Sequence, residues 1–333
     1  MQTSSPLITI GMPVYNGSEH IEGALESIQL QTYKNLEIII SDNGSNDNTL
    51  EICKNFASKD SRIKIIQNKT NLGAITNCNI VMKAAQGKYF MLMAHDDKKE
   101  KNFVQDCLLM LEKSEDAVLC HSLTSFYIQN QPQKVCTASM DSLHSTKNIL
   151  HRYYATLSTA PAVAVYGLIR VSALKQTMYL RKSIATDIAF LCELSLYGNF
   201  VQVKKELFNY ISRPKWNNID DDYKVFFGDV IKPWWYSPFL FLFWDHCIRI
   251  LFSKKNFFMM LGCFLVLFFF QLKLLIKKII LKISYFLIPP KYTNMVGEFL
   301  YWKILHNPNV KILDYDMYKK RFMFSIIGWK KNL

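Results

Sequence analysis

The chain has 333 residues, of which 50% are hydrophobic, and it carries a formal net charge of +13 at pH 7. This length is enough for one large domain or two medium ones, and the apolar content excludes a disordered or fibrous protein. The N-terminus lacks the basic start, long apolar run and small-residue cleavage site of a secretory signal, so we expect a location inside the cell.

The cysteines are scattered singly and lie mostly inside apolar stretches, without a CxxC pair. We therefore expect reduced, buried thiols rather than disulfides or a structural zinc site. The histidines show no HxxxH or HExxH spacing, which also argues against zinc. The cysteines are Cys53, Cys78, Cys107, Cys120, Cys136, Cys192, Cys247 and Cys263.

The positive charge is concentrated in the C-terminal third. Residues 231–333 contain 16 Lys or Arg and 4 Asp or Glu, a difference of +12, whereas residues 1–230 contain 24 and 23, a difference of +1. The basic segment is also rich in long aliphatic and aromatic side chains. Such a segment favours contact with an anionic membrane surface over nucleic acid. Ordinary solvated lysines around a helical core are the alternative.

Short apolar runs alternate with amphipathic stretches in the first part of the chain. The apolar runs end in turn residues, as buried parallel strands do, and the stretches between them have apolar residues at helical spacing. This rhythm predicts a doubly wound, mostly parallel α/β sheet, whose ligands lie beyond the carboxyl ends of the strands. The predicted strands cover 7–15, 36–43, 63–68 and 88–94, and the predicted helices 18–32, 47–60 and 74–87.

Polar side chains follow three of these strands, and we expect them to converge on one crevice. The last set contains two adjacent carboxylates, Asp96 and Asp97, which are costly to ionise together without a cation or hydrogen-bond donors. Mg²⁺ or Mn²⁺, which share oxygen ligands with substrate phosphates, would compensate both. A solvated Asp pair in a loop turn is the alternative. The three sets are Tyr15 and Asn16, Asp42 and Asn43, and His95, Asp96 and Asp97.

The pattern after residue 130 is less regular. Residues 166–177 indicate a strand that turns into a helix. A second helix is predicted to begin near Thr186 and to end at Gly198, after which 201–213 returns as a strand. Residues 213–235 are typical of a linker or flexible loop, and the chain beyond them is strongly apolar and predicted to be helical.

The apolar region contains a 17-residue uncharged stretch, 256–272. That is at the lower limit for a membrane span, which needs roughly 20 apolar residues. The lysines that follow alternate with Leu and Ile at near-helical spacing, which fits an interfacial helix with snorkelling lysines better than a span. Association with the membrane surface, insertion of one span, and a soluble helical cap or oligomer contact all stay open.

Several segments in order, ITIGMPVYNG, LEIIISDNGSNDNT, NLGAITNCN and GKYFMLMAHDD, resemble the nucleotide-binding half of the family 2 glycosyltransferases, which have the GT-A fold. The resemblance implies a GT-A domain over 1–225, with nucleotide-sugar binding in 1–130 and the acceptor side in 131–225. A helical, basic and apolar C-terminal region would then cover 226–333. The matching positions are Pro13, Tyr15, Asn16, Gln31, Thr32, Asp42, Gly44, Ser45, Asp47, Asn71, Gly73, Asn79 and Gly87.

The resemblance also implies roles for individual residues. Asp96 would lie near the ribose, and Asp97 would bind the metal, Mn²⁺ or Mg²⁺, that bridges the diphosphate. His95 takes the first position of the family's Asp-x-Asp motif, where it would be a weaker metal ligand or a hydrogen-bond donor to phosphate. Asn43 stands where many members have a second Asp that reads the base, so the nucleotide's identity stays open. The residues implied to bind the nucleotide sugar are Pro13, Val14, Tyr15, Asn16, Asp42, Asn43, Asn71, Gly73 and Asp96.

The family places a catalytic carboxylate at the start of a helix. Asp187 holds that position here, and Thr186 stands where the family often has Glu. The helix dipole also favours a carboxylate in the first turn, so a purely structural Asp is the alternative. Sugar transfer needs a base for the acceptor proton and an electrophile for the departing diphosphate, roles that Asp187 and a metal at Asp97 would divide. Arg170 or Arg213 could meet phosphate or be purely structural.

The resemblance implies an inverting, metal-dependent glycosyltransferase that moves one sugar from a nucleoside diphosphate sugar to a glycan hydroxyl. The basic, apolar residues 231–333 favour a lipid-linked acceptor at an anionic membrane surface, as in bacterial cell-surface polysaccharide synthesis on the cytoplasmic face of the inner membrane. No nucleic acid partner is expected.

Three rival functions stay open at this point. A processive synthase would carry a Gln-x-x-Arg-Trp motif, which this chain lacks. A sugar nucleotidyltransferase would have a glycine-rich basic loop at the first strand, where this chain has GMPVYNGSEH. The third rival is a catalytically decayed GT-A protein that acts as a membrane-docked binding or scaffold module.

Overall fold

A computed structural model describes residues 5–129, 133–139, 146–183, 185–212, 238–287 and 310–312. The linker predicted over 213–235, which includes Arg213, and most of the chain after residue 287 lie outside the described residues.

The first half of the sheet consists of four parallel strands. Strand β1 pairs with β2 and β4, and β2 pairs with β3, so the spatial order is β3-β2-β1-β4. The β2 side chains are all buried, as expected where helices cover both faces of a parallel sheet. These elements match the predicted ones within a few residues. They are β1 Ile8–Val14, α1 Ile21–Gln29, β2 Leu36–Asp42, α2 Thr49–Lys59, β3 Ile63–Gln67, α3 Ala74–Lys83 and β4 Tyr89–Leu92.

The second half continues the same sheet with mixed strand directions. Strand β8 lies antiparallel between β4 and β6, and β9 runs parallel to β6 and antiparallel to β5. The elements are β5 Lys98–Lys99, α4 Phe103–Lys113, β6 Ala117–Ile128, β7 Lys134–Ala138, α5 Ile149–Thr159, a 3-10 helix Ala162–Tyr166, β8 Leu168–Arg170, α6 Val171–Leu174, α7 Thr186–Ser195 and β9 Asn199–Ser212.

The predicted transition from strand to helix over 166–177 is confirmed by β8 and α6. The predicted start of a helix near Thr186 is confirmed, although α7 ends at Ser195, before the turn that reaches Gly198. With β10 Val310–Ile312 paired to β7, the described strands form one ten-stranded sheet. The predicted mixed α/β architecture is therefore confirmed.

Two long helices follow, α8 Pro238–Leu251 and α9 Phe257–Leu287. They pack against α5 and α7, and Gly262 lets α9 approach α5, because a Cβ there would lie 2.9 Å from the Leu150 side chain. No described helix combines the length and sustained apolar character that a membrane span requires. The buried contacts between these helices involve Tyr153, Leu157, Cys192, Leu196, Cys247, Ile250, Cys263 and Leu267.

Candidate functional site

The carboxyl ends of β1, β2 and β4 meet at one edge of the sheet. The backbone N–H of Asn43 donates to the Val14 carbonyl at 2.9 Å, which joins the ends of β1 and β2. The loop after β1 touches the end of β4, because a Cβ at Gly17 would lie 2.4 Å from the His95 ring. The structure thus brings together the three polar sets that the sequence places at strand ends.

The loops after β1 and β2 are joined by neutral and acidic side chains. The backbone N–H of Asn16, which has a left-handed φ of 48°, donates to Ser45 Oγ at 3.0 Å, and Asn16 Oδ1 accepts from the Asn46 N–H at 3.0 Å. Burial alone would raise the pKa of Asp47, but hydrogen bonds from Thr49 and Ser18 outweigh it and lower the pKa to about 2. Asp47 therefore stays ionised, and its hydrogen bonds hold together the loops after β1 and β2. These two loops form the rim of the candidate site.

Asn43 is the centre of a buried amide network. Its side chain is 1% exposed, donates to Asn71 Oδ1 at 2.7 Å and accepts from the Leu72 N–H at 3.0 Å and from Asn68 at 3.1 Å. Asn71 Oδ1 also accepts from the N–H of Gly73. Gly73 is the residue directly before α3 and has a positive φ of 84°. The network fixes the loop before α3, and a role for Asn43 in reading the base stays a prediction.

The other residues expected to bind the nucleotide sugar differ in exposure. Asp42 is fully buried, and its oxygens accept from the Ser45 N–H at 3.3 and 3.4 Å. Tyr15 is 40% exposed and Asn71 is also exposed, so these two side chains line the outside of the rim. Pro13, near the end of β1, is half-buried.

The acidic turn after β4 is partly buried. Asp97 is 1% exposed, and its Oδ1 accepts from the Ile211 N–H at 3.0 Å, near the end of β9. His95 and Asp96 are half-buried. Because β9 belongs to the second half of the sheet, Asp97 links the carboxyl edge of the parallel strands to that second half.

A lysine that the sequence analysis overlooked is buried beside Asp97. Lys99 donates from Nζ to the Tyr166 carbonyl at 3.0 Å and lies 3.3 Å from the ring centroid of Phe208. Burial lowers the pKa of Lys99 to about 7, while the charge of Asp97 acts in the opposite direction. The Lys98-Lys99 pair directly after two aspartates was the signal available in the sequence.

The acidic turn suits a metal that is shared with a substrate. Among the described residues, no three His, Cys, Asp or Glu side chains cluster closely enough to hold a metal by themselves. Mg²⁺ is commonly bound by one or two carboxylates together with substrate phosphates. Asp97, with Asp96 and His95 next to it in the turn, offers that donor set rather than an all-protein cage.

Asp187 lies in the first turn of α7, two residues after Ala185, whose φ of 53° is left-handed. Its carboxylate is half-buried and accepts from the Ile188 N–H at 2.9 Å. Burial raises the pKa of Asp187, and the backbone N–H groups at the helix start only partly oppose this. A carboxyl with a raised pKa is a stronger base, which is the property that a proton acceptor near neutral pH needs.

Helix α3, which lies in the first half of the fold, holds the segment that leads into α7. Asn79 donates to the Leu180 carbonyl at 2.7 Å and accepts from the Leu180 N–H at 3.0 Å. One residue further on, the Arg181 N–H donates to Thr186 Oγ1 at 3.1 Å. Asn79 is one of the positions that match the family pattern, which implied no role for it; in the structure it connects α3 to the segment that precedes Asp187.

Arg170 serves the fold rather than a phosphate. Its guanidinium donates to the carbonyls of Ala117 at 2.7 Å and Leu111 at 2.6 Å, and to the Tyr89 hydroxyl at 2.7 Å. These contacts lie at the amino end of β4, because Tyr89 is its first residue. The structural alternative is therefore confirmed for Arg170, and Arg213 lies outside the described residues.

Comparison with solved structures agrees with the fold. S. aureus TarS in complex with UDP-GlcNAc superposes with a TM-score of 0.57 and 18% identity, over 77% of this chain and 70% of that chain. Mannosyltransferase PcManGT from Pyrobaculum calidifontis, in complex with GDP-Man and Mn²⁺, gives 0.54 and 13%, over 99% and 88%. At these identities the likeness is one of fold.

Comparison of sequences gives the family. An uncharacterized glycosyltransferase of Haemophilus influenzae is 36% identical over 126 residues, which are 38% of this chain and 39% of that protein, so the match spans less than half of the relative. The family model described as Glycosyl transferase family 2 matches residues 9–178, just over half of the chain. The chain therefore belongs to glycosyl transferase family 2.

Proposed function

We propose that this protein is an inverting, metal-dependent glycosyltransferase that moves one sugar from a nucleoside diphosphate sugar to a hydroxyl of a lipid-linked glycan in bacterial cell-surface polysaccharide synthesis. One observation carries the proposal: Asp187, a half-buried carboxyl with a raised pKa, starts a helix whose approach segment is tied to the nucleotide half through Asn79. A base placed there can serve a donor bound at the strand ends.

The donor would bind across the carboxyl edge of the parallel strands. The exposed ring of Tyr15 and the amides of Asn16 and Asn71 offer contacts to base and ribose, together with Pro13, Val14, Asp42, Asn43, Gly73 and Asp96. TarS and PcManGT, which share the fold, bind UDP-GlcNAc and GDP-Man, which supports a nucleotide sugar as the donor class.

Asp97, with His95 as a weaker ligand, would hold Mn²⁺ or Mg²⁺ at the diphosphate. When bound, this ion supplies positive charge that stabilises the leaving diphosphate. The buried position of Asp97 and its hydrogen bond from the Ile211 N–H fix the direction of its carboxylate.

The transfer itself needs one displacement. The acceptor oxygen forms a bond to the anomeric carbon as the bond from that carbon to the diphosphate oxygen breaks, and the electron pair leaves with the diphosphate. Asp187 takes the proton of the attacking hydroxyl. A single displacement from the opposite face inverts the anomeric centre.

The features of helix α9 support the proposals of a lipid-linked acceptor and a membrane location. Its outer face exposes Phe258 by 81% and Phe269 by 61%. A cavity of about 450 Å³ lies between α5 and α9, and Lys273 and Tyr154, whose Nζ and hydroxyl are 3.4 Å apart, add polar groups to it. Aromatic side chains beside lysines suit the headgroup level of an anionic membrane, so we propose peripheral binding at the cytoplasmic face.

A catalytically decayed, membrane-docked module is the second candidate. The observations that favour it are His95 in place of the first motif carboxylate and the burial of Asp42 and Asn43, which leaves fewer polar groups free for a donor.

Release of nucleoside diphosphate from UDP-GlcNAc and from GDP-mannose, with Mn²⁺ and with water as the acceptor, separates these two candidates. The enzyme should release product, and Asp187→Asn should lower the rate by about 10²- to 10⁴-fold, the usual contribution of a general base. Asp106→Asn, which removes a surface ion pair with Lys205, is the matched control and should keep the rate. Turnover that survives Asp187→Asn would remove Asp187 as the base, and no turnover with either donor would favour the decayed module.

A further inference from the structure

Four charged side chains form a buried network between α7 and α8. Arg249 is 1% exposed and contacts Glu193, with Nη1 and Oε2 2.5 Å apart, and Asp245, with Nε and Oδ2 3.1 Å apart. Asp245 also accepts from Arg181 Nε at 2.7 Å. Two positive and two negative charges balance, so the group carries no formal net charge.

The network joins three separate parts of the chain. Asp245 and Arg249 are on α8, Glu193 is on α7, and Arg181 belongs to the segment that leads into α7. This segment is held at two more points, because Arg249 donates to the Tyr179 carbonyl at 2.9 Å and Glu193 accepts from the Met178 N–H at 2.9 Å. Tyr179 has a left-handed φ of 58°, a backbone conformation that persists only where surrounding contacts enforce it.

These contacts hold both sides of Asp187 without touching it. Glu193 lies six residues further along the same helix, roughly 9 Å at the usual helical rise. On the other side, the backbone N–H of Arg181 donates to Thr186 Oγ1, next to Asp187. The start of α7 is therefore fixed between its own later turn and the preceding segment.

Stability alone is a poor reason for such a network. Removing two ion pairs from water is costly, and apolar residues of similar volume often replace buried ion pairs without loss of stability. Charged groups with fixed hydrogen bonds do, however, set one geometry where apolar packing allows several. The network can therefore fix the geometry of the first turn of α7.

We infer that Arg249, with Asp245, Glu193 and Arg181, is a positioning device that sets the direction of the Asp187 carboxylate towards the reacting centre. The inference rests on the proposed role of Asp187 as the base. It makes α8 a part of the acceptor side of the enzyme, in addition to any contact of the C-terminal helices with a membrane.

The test replaces the network by apolar residues in one triple variant, Glu193→Met, Asp245→Leu and Arg249→Met. We expect its melting temperature to stay within a few degrees of the wild type and its affinity for UDP and GDP, measured with Mn²⁺, to stay unchanged. The kcat of donor hydrolysis should fall at least tenfold with an unchanged donor KM. A stable triple variant with wild-type kcat would overturn the inference.

A double-mutant cycle separates positioning from general destabilisation. In an Asp187→Asn background the same triple substitution should have no further effect on the residual rate, because a base that is absent cannot be misplaced. An equal loss in both backgrounds would show that the network acts elsewhere. If Asp187→Asn itself leaves the rate unchanged, the proposed function fails at its base, whatever the network does.

Two further measurements keep the inference testable if the triple variant does not fold or no donor turns over. The Arg181 side chain is 35% exposed and makes the outermost contact of the network, with Asp245. Arg181→Gln removes only this contact and should lower kcat about threefold at an unchanged melting temperature. Amide hydrogen exchange should rise at 185–188 in Arg181→Gln and stay unchanged in α3. Unchanged exchange at 185–188 would contradict the inference without any activity assay.

Discussion

The two sides of the proposed site are held in place by different chemistry. On the nucleotide side, neutral amides, hydroxyls and backbone groups around Asn43 fix the strand-end loops. On the acceptor side, buried charges around Arg249 fix the helix that starts at Thr186. Burying a neutral, hydrogen-bonded group costs less free energy than burying a charge. Each buried charge therefore requires an oppositely charged partner at hydrogen-bond distance. The acceptor side is therefore the more sensitive to distant substitutions, and the nucleotide side to local ones.

The largest effect on the nucleotide side should come from Asn43→Ala. The substitution removes the three hydrogen bonds of the buried Asn43 side chain, to Asn71, Asn68 and the Leu72 N–H, each worth about 0.5–1.5 kcal/mol. We expect a loss of stability of about 2–4 kcal/mol and weaker nucleotide binding, measured by denaturant unfolding and calorimetry. Asn55→Ala, an exposed position on α2, is the control. Unchanged stability would mean that the amide network does not fix the rim.

The acceptor side should determine the pH dependence. Because the pKa of Asp187 is raised by burial, the base is protonated at a higher pH than an ordinary Asp, above about pH 4. As the pH falls through that pKa, kcat should fall tenfold per unit, and it should be constant above it. An acid limb at or below pH 4 in kcat, measured with UDP-GlcNAc or GDP-mannose, would contradict a buried base.

The outer face of α9 offers a test of the C-terminal side alone. Phe258→Asp with Phe269→Asp removes two exposed aromatic side chains, each worth about 1.5–3 kcal/mol when fully buried. Cosedimentation with vesicles that contain phosphatidylserine should fall at least tenfold, with donor hydrolysis in solution unchanged. Leu30→Asp with Leu109→Asp, exposed apolar residues outside α9, should leave vesicle binding unchanged. Equal losses in both pairs would exclude α9 as the membrane-binding face.

The smallest effect should come from Asn79→Ala, at the junction between the two sides. It removes both hydrogen bonds to the Leu180 backbone, each worth about 0.5–1.5 kcal/mol. The expected result is a kcat lowered a few-fold with nucleotide affinity unchanged, since Asn79 lies outside the amide network around Asn43. A loss of nucleotide affinity instead would place Asn79 on the donor side.

Much of the nucleotide half could be predicted from the sequence. Its strands are short apolar runs that end in polar residues, and its helices repeat apolar residues at helical spacing, so the patterns gave β1 to β4 within a few residues. The convergence of the strand ends follows from their parallel direction. The hydrogen-bond partners of Asn43 could not be predicted from the sequence, because Asn71 is 28 residues away and an amide can form hydrogen bonds with many other groups.

The acceptor half was harder to predict for a physical reason. Arg249 and Glu193 are 56 residues apart, and Arg181 and Asp245 are 64 apart, so no local pattern joins them. Strand β6 carries buried Ser, Thr and His side chains among its apolar ones, which hides the strand pattern. Lys99 looked like one of many surface lysines, and only the folded chain places it against Phe208 and Phe103.

Thermal unfolding of the purified protein with UDP, GDP, dTDP and CMP, each with and without Mn²⁺, tests the central claim most directly. One nucleotide should raise the melting temperature only with the metal, since about 2.7 kcal/mol of stabilisation is expected at 100 times its dissociation constant. Asp97→Asn, which keeps the shape of the side chain, should abolish the metal-dependent part, and Asp106→Asn should not. A folded protein whose melting temperature responds to none of the nucleotides, with or without Mn²⁺, would contradict a donor site at the strand ends.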